Sequence, residues 1–425
     1  MHESDALTRT TIETIWRIEA ARLIGGLVRV VRDVDRAEDL AQEALVTALE
    51  RWPQSGVPDN PGAWLMTTAK HRAVDAARRR AMIDDKHREI GRTAPQWTTL
   101  DEDAVDEPVG DDVLRLVLIA CHPVLSKDAR AALTLRLVAG LSTAEIARAF
   151  LTSESTMAQR IVRAKRTLSE ARVPFEVPTG SDLRARIPPT LEVLYLIFNE
   201  GYAATGGDDW LRPELCEEAM RLGRLLVGLV PDDAEVHGLL ALMELQASRT
   251  RARIGPRGVP VPLFEQDRAR WDRLLITRGL AGLARAEALE HPLGPYTIQA
   301  AIAACHARAR TPEETDWVRI VALYDGLVEV TGSPVVELNR AVAISMVYGP
   351  GQGLSLVEEL AEDPALQDYH LLPTVRGDLL LKLGRTAEAR AELEKAARMA
   401  TNARERDLLL ARVASCVSPD AGLAN

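Results

Sequence analysis

At 425 residues the chain is long enough for two or three domains with full cores, which excludes a small scaffold that depends on disulfides or a metal for its fold. Hydrophobic residues at 47% and charged residues at 27% are ordinary for a globular protein, while aromatics at 4% and abundant Ala, Leu and Arg favour helices over sheets. The net charge of −10 is uneven, −1 over residues 1–172 and −9 over the rest, so the total does not exclude a nucleic-acid partner met by local basic patches.

The expected fold class is all-α: two small helical domains, the second with a helix-turn-helix, and a helical C-terminal domain. Cys121, Cys216, Cys305 and Cys416 are widely scattered without CxxC spacing, as expected of buried thiols in a reducing compartment. The adjacent pairs Cys121-His122 and Cys305-His306 diverge by about a hundred degrees around a helix and make no metal site alone. Neither metal nor cofactor is expected. Met1 to Thr11 is polar and acidic, unlike a secretory signal, and the dense apolar run Leu191 to Phe198 is too short for a bilayer. The expectation is a soluble cytoplasmic protein.

From about Thr11 to Ile90 the pattern predicts several helices. Ile12, Ile15, Trp16, Ile18, Leu23, Ile24, Leu27, Val28 and Val31 supply the core side of the first. In the next, Asp39 and Glu43 stand four apart on one face, with Asp35 and Gln42 at its edge and Leu45 and Leu49 opposite. An acidic, amide-bearing face over an apolar back suits docking onto a basic partner helix. The loop Pro53 to Pro61 is full of turn residues, and Asn60 is placed to cap a helix with Pro61 at its first position. That helix sets Trp64, Lys70, His71, Arg72 and Arg78 to Arg80 around an apolar side of Leu65, Ala69, Ala73 and Ala76. Rings amid cations and hydroxyls suit single-stranded DNA, because bases stack on the rings while Lys and Arg meet phosphates; a core role for Trp64 is the alternative.

Residues 98–112 hold seven acids and no base, the composition of a linker. Two helices broken at His122-Pro123 and recapped at Ser126 lead into the stretch from Leu141 to Ser169. There Ser142 and Glu145 form a capping box, in which each side chain satisfies an amide that the first helical turn leaves unpaired. Ile146, Ala149 and Phe150 follow at helical spacing. After a turn at Leu151 to Ser153, Ser155 is an N-cap candidate, and Met157, Ile161, Ala164 and Leu168 make one buried stripe. The opposite face carries Thr156, Gln159, Arg160, Arg163 and Arg166, with Lys165 beside it, donors that pair with phosphates and planar groups that read base edges in a major groove. The turn lacks the Gly usual in a helix-turn-helix. A second, Pro-rich linker follows at 173–190.

DRAEDLAQEAL, PGAWLMTTAKHRAVDAARRR and GLSTAEIARAFLTSESTMAQRIVRAKRTL, in this order around an acidic linker, resemble the bacterial sigma factors of the extracytoplasmic-function (ECF) type. With CHP at 121–123, LYLIFNEGY at 194–202 and QDRARWD at 266–272, the chain is similar to the subgroup bearing a long helical C-terminal extension. The resemblance implies a sigma region 2 domain at 1–97, the acidic linker at 98–112, a region 4 domain at 113–172, the Pro-rich linker at 173–190 and the extension at 191–425. It further implies binding to RNA polymerase core through the β′ clamp helices and the β flap, and to promoter DNA. Asp35, Asp39, Gln42 and Glu43 would face the clamp helices. The Pro53 to Pro61 loop with Trp64, Thr67, Lys70, His71 and Arg72 would open the minus-ten element and hold a flipped base. Gln159, Arg160 and Arg163 would enter the minus-thirty-five major groove, with Thr156, Lys165 and Arg166 nearer phosphates. Melting a duplex needs platforms for unstacked bases, so a strand-capturing helix and a duplex-reading helix are complementary devices. Nothing in this pattern supplies catalysis, and no nucleophile-base signature or phosphate loop points to an enzyme. A DNA-binding regulator that never joins the polymerase is the alternative.

Beyond Thr190 an internal repeat stands out. Val342 and Gly377, Gly349 and Gly384, Leu354 and Ala389, and Ala361 and Ala396 are each 35 apart, close to the ~34-residue period of tetratricopeptide (TPR) helix hairpins. Gly377, Gly384, Ala389, Leu393 and Ala396 take the small-residue packing positions; Pro295 to Arg310 with Pro312 to Val330 makes an earlier pair, and Asn402 to Val417 a capping helix. Asn199, Glu200, Tyr202, Asp267, Arg268, Arg270, Trp271, Asp272, Gln299, Asn339 and Arg340 interrupt apolar runs. They form either a pocket for a small-molecule or protein regulator, or a network of paired buried charges such as Asp267 with Arg270 or Arg268 with Asp272.

Overall fold

The computed structural model describes residues 2–89, 112–150, 152–171, 173–175, 177–203, 211–255 and 259–416. Among them the secondary structure is helical apart from one isolated antiparallel bridge between Ile254 and Pro260, as the all-α reading expects. No helix among the described residues is long and apolar enough to cross a membrane. Of the acidic stretch 98–112, all but Asp112 lies outside the described residues. The chain divides into two compact units, residues 1–196 and 197–425.

The first unit opens with α1 (His2–Val31), α2 (Val34–Ser55) and α3 (Pro61–Glu89). Ile12, Leu23, Leu27 and Val31 of α1 are buried, as are Leu40, Ala44, Ala48 and Trp52 of α2 and Leu65, Ala69 and Ala73 of α3. Asp33 caps α2 by accepting the Arg36 amide at 2.8 Å, and Asn60 caps α3 by accepting the Ala63 amide at 3.1 Å. Ile18 is 59% exposed and Leu49 38% exposed, against the apolar pattern that assigned Ile18 to the core and Leu49 to the back of the helix. Alanines take the inward positions of α2 instead and let it lie close against its neighbours.

Four helices follow: α4 (Asp112–Ala120), α5 (Lys127–Leu137), α6 (Thr143–Ala149) and α7 (Glu154–Glu170). Next, α8 (Gly180–Tyr202) runs straight through Pro188 and Pro189, so the later half of the stretch read as a Pro-rich linker is helix. Each proline in a helix interior costs up to ~3 kcal/mol. Tertiary burial offsets that: Leu183, Ile187 and Leu191 are buried, the Arg186 guanidinium donates to the Leu118 carbonyl at 3.2 Å, and the Cys121 thiol to the Pro189 carbonyl at 3.7 Å.

The second unit continues with α9 (Pro213–Leu229), α10 (Ala234–Ala247), α11 (Arg273–Glu287), α12 (Pro295–Arg308) and α13 (Trp317–Thr331). Then α14 (Pro334–Tyr348) pairs with α15 (Pro350–Leu360), and α16 (Leu371–Lys382) with α17 (Thr386–Met399), before α18 (Ala403–Ser415). The two hairpins turn at Gly349 (φ 94°) and Gly384 (φ 75°), positions 35 residues apart in a region of backbone space that side chains disfavour. Ala389, Leu393 and Ala396 are fully buried, as the repeat requires.

The ion pairs expected within the 267–272 segment do not form. Asp267 accepts the Ala269 amide and Asp272 the Leu274 and Leu275 amides, so both carboxylates act as caps. Arg268, 7% exposed, donates instead to the His306 and Ala309 carbonyls, each at 2.8 Å, and to Thr315. Elsewhere Arg340 does meet Asp325 at 2.6 Å. Burial, with Arg249 and Arg268 nearby, holds His306 down to about 4. Its folded-state value thus lies below the unfolded one near 6.5, so the unfolded chain takes up the proton first and stability falls as pH drops from about 6.5 to about 4. Thermal melts across this range should lose about 3 kcal/mol, and His306→Gln should flatten the profile.

Candidate nucleic-acid interface

The turn between α6 and α7 is built by caps. The Glu145 carboxylate accepts the Ser142 amide at 2.8 Å and the Ser142 hydroxyl accepts the Glu145 amide at 3.2 Å, the reciprocal box expected from sequence. The N-cap of α7 is Ser153, which accepts the Thr156 amide at 3.2 Å; Ser155 lies inside the first turn, correcting the sequence-based assignment. Met157, Ile161, Ala164 and Leu168 are buried. Their burial turns the other face outward: Thr156, Gln159, Arg160 and Arg163 line an open cleft of about 330 Å³ with Ser126, Ala129 and Thr167.

These side chains are not equivalent. Arg163 is exposed and makes no ion pair among the described residues. Arg160 is held at 3.5 Å from Asp128, with its guanidinium 5.8 Å from the Phe150 ring centre. Arg166 is exposed and pairs with Glu170 one turn on, at 2.6 Å. Lys165 departs furthest from expectation. It is only 12% exposed, and its ammonium lies 2.9 Å from Asp35 and 2.6 Å from Glu38, both on α2.

On α3, Trp64 is half-buried against Trp52, edge to face with ring centres 5.3 Å apart, which combines the packing and platform readings of that residue. Thr67 and His71 are exposed and Lys70 is half-buried. Arg72 turns toward α2, donating to Glu43 at 2.7 Å and to the Thr47 hydroxyl at 2.8 Å. The α3 surface and the acidic face of α2 are therefore joined at one edge.

On α2, Asp35, Asp39, Gln42 and Glu43 are all exposed. Partial burial, then the Asp35 carboxylate, raise the pKa of Asp39 above the usual value despite the nearby Lys165, so this face repels itself and gains from a cationic partner. Two residues that the sequence reading missed stand at its centre. Glu38 is 5% exposed, accepts from Gln42 at 3.1 Å, and binds the Arg136 guanidinium of α5 at 3.1 Å as well as Lys165. Glu38 sat within the quoted motif, but nothing local told it apart from Asp39; Arg136 carried no signal.

Three family models match. The Sigma-70 region 2 model covers residues 17–82, the Sigma-70, region 4 model residues 115–168, and a family of unknown function, DUF6596, residues 186–287. "Uncharacterized protein R00370" of Rhizobium meliloti is 43% identical over 395 residues, 90% of each chain. "Probable ECF RNA polymerase sigma factor SigI" of Mycobacterium tuberculosis is 27% identical over 167 residues, 39% of this chain and 57% of that one. "ECF RNA polymerase sigma factor SigK" of Mycobacterium ulcerans is 32% identical over 151 residues, 35% of this chain and 78% of that one.

Proposed function

Because this chain belongs to the sigma factors of the extracytoplasmic-function type, with a long helical extension behind regions 2 and 4, we propose that it binds RNA polymerase core, recognises minus-thirty-five and minus-ten elements and assists promoter opening. The observation that carries this reading is the pairing, within one unit, of a capped helix-turn-helix with an open basic cleft and an exposed acidic face beside a Trp- and cation-bearing helix. Asp35, Asp39, Gln42 and Glu43 meet the β′ clamp helices. Trp64, Thr67, Lys70, His71 and Arg72 serve the melted strand, Gln159, Arg160 and Arg163 the major groove, Thr156 and Arg166 phosphates, and Lys165 phosphates once released from α2. Region 4 seats on the β flap, and the bond-making step belongs to the polymerase in the cytoplasm.

The extension regulates or stabilises these domains. Within it an open cavity of about 1190 Å³ is lined by Arg251, Arg270, Arg273 and Arg404, in a part of the chain that is otherwise acidic, a setting that favours an anionic regulator. Run-off transcription with purified core tests the main reading. Promoter-dependent product should appear only when the chain is added; specific DNA binding without product would favour a regulator acting apart from the polymerase.

A further inference from the structure

We propose that the arginine-walled cavity of the extension is a binding site for a small organic diphosphate, whose two phosphoryl groups sit among the guanidiniums while its carbon skeleton lies on the apolar part of the wall. The proposal rests on the reading of the extension as the seat of an anionic regulator, and gives that regulator a chemical class.

Three features of the wall carry the inference, all within the second unit. The charged groups lining the cavity are Arg251, Arg270, Arg273 and Arg404 against Asp272 alone. The Asp272 carboxylate is already committed to the Leu274 and Leu275 amides at the start of α11, at 2.9 and 3.1 Å. The four arginines are exposed and make no ion pair among the described residues, although Arg404 reaches this wall from α18, far along the chain from the other three. Like charges gathered without counter-ions repel one another, and a cleft lined by one sign of charge concentrates ligands of the other.

Positive charge continues behind the wall. Trp271 lines the cavity and is 3% exposed, with the Arg268 guanidinium 5.0 Å and that of Arg249 6.0 Å from its ring. Its indole N–H is buried without a hydrogen-bond partner among the described residues, and an unpaired buried donor is costly, so this wall gains from an acceptor brought against it. The third feature is α9, which starts at Pro213 on the cavity without a side-chain cap, so the positive end of its dipole adds to the attraction for anions.

The donor set selects the ligand class. A carboxylate takes one guanidinium bidentately, whereas a phosphoryl group offers three acceptor oxygens and close to two negative charges. Converging arginines therefore favour phosphoryl groups, and four of them favour two such groups in one molecule. The volume, about 1190 Å³, leaves room for an organic portion, and Leu211, Pro213, Ile254 and Leu274 give it apolar surface. A nucleoside diphosphate and an isoprenoid diphosphate both meet this description.

Calorimetric titration of the full chain in buffered salt separates these sources, with inorganic pyrophosphate, ADP, geranyl diphosphate and citrate as probes. Pyrophosphate should bind about tenfold more tightly than citrate, and either ADP or geranyl diphosphate more tightly still. Arg270→Gln with Arg273→Gln, both at exposed positions, should leave thermal melting unchanged and weaken pyrophosphate binding about tenfold or more. Arg390→Gln, on α17 and paired with Glu394, should leave binding as it is. No measurable binding of pyrophosphate, citrate bound as tightly, neither organic diphosphate bound more tightly than pyrophosphate, or equal weakening by the Arg390 variant and the double variant overturns the proposal. These titrations contain no polymerase, so their failure leaves the sigma-factor reading intact. Regulation is read separately: saturation with the tighter diphosphate should change the core affinity of the intact chain and not that of the double variant, and an unchanged affinity contradicts regulation through the extension while the site stands.

Discussion

Asp39→Arg is expected to lower affinity for core polymerase by about tenfold to a hundredfold. Close interfacial charge pairs couple by about 1.5 kcal/mol or more, and reversal adds repulsion to the lost attraction. Asp39 is the informative position because it is exposed on α2, makes no ion pair among the described residues, and carries a carboxyl raised first by burial and then by Asp35. Its present surroundings disfavour the charge, so a cationic partner stabilises it more than it would an isolated carboxylate. Glu43 offers a poorer test, since Glu43→Arg would also strip Arg72 of its partner at 2.7 Å and disturb α3. Titration of labelled chain with core, at two salt concentrations, gives the loss and shows whether it is electrostatic. Unchanged affinity would remove Asp39 from the interface.

Arg163→Ala should cost about 1–3 kcal/mol of discrimination at one base pair of the minus-thirty-five element, and Arg163→Lys should not restore it, because a bidentate contact to a guanine edge needs the planar fork. Arg163 is better placed for this than Arg160, which is already tethered to Asp128 and stacked on Phe150. By contrast Arg166→Ala, at an exposed position paired with Glu170, should weaken all sequences alike, as a phosphate contact does. Binding to a set of single-base variants of the element separates the two patterns. Equal loss on every variant would demote Arg163 to a phosphate contact.

Local rules were legible in the sequence. The Ser142–Glu145 box, the Asn60 cap, the stripe of Met157, Ile161, Ala164 and Leu168, and the 35-residue glycine spacing depend on residues within a few turns of each other, and each has its structural counterpart. The misassigned cap shows how close such a choice is: Ser153 and Ser155 both precede the stripe, and it is the Ser153 hydroxyl that accepts the Thr156 amide. What escaped was set by distant chain. Pro188 and Pro189 read as a linker because the burial that holds them in α8 comes from Leu118 and Cys121, some 68 residues earlier. Arg268 read as a partner of Asp272, but a three-carbon stem carried it to carbonyls 38 and 41 residues away. The Lys165–Glu38 ion pair was not legible for the same reason: 127 positions separate the two residues, and nothing in either local pattern links them.

The most direct test of the account is equilibrium binding of the purified full chain to RNA polymerase core, followed by promoter capture by the resulting complex. The account predicts a saturable one-to-one complex that binds promoter DNA more selectively than either component. A chain with no measurable affinity for core, under conditions where another sigma factor binds, would contradict it.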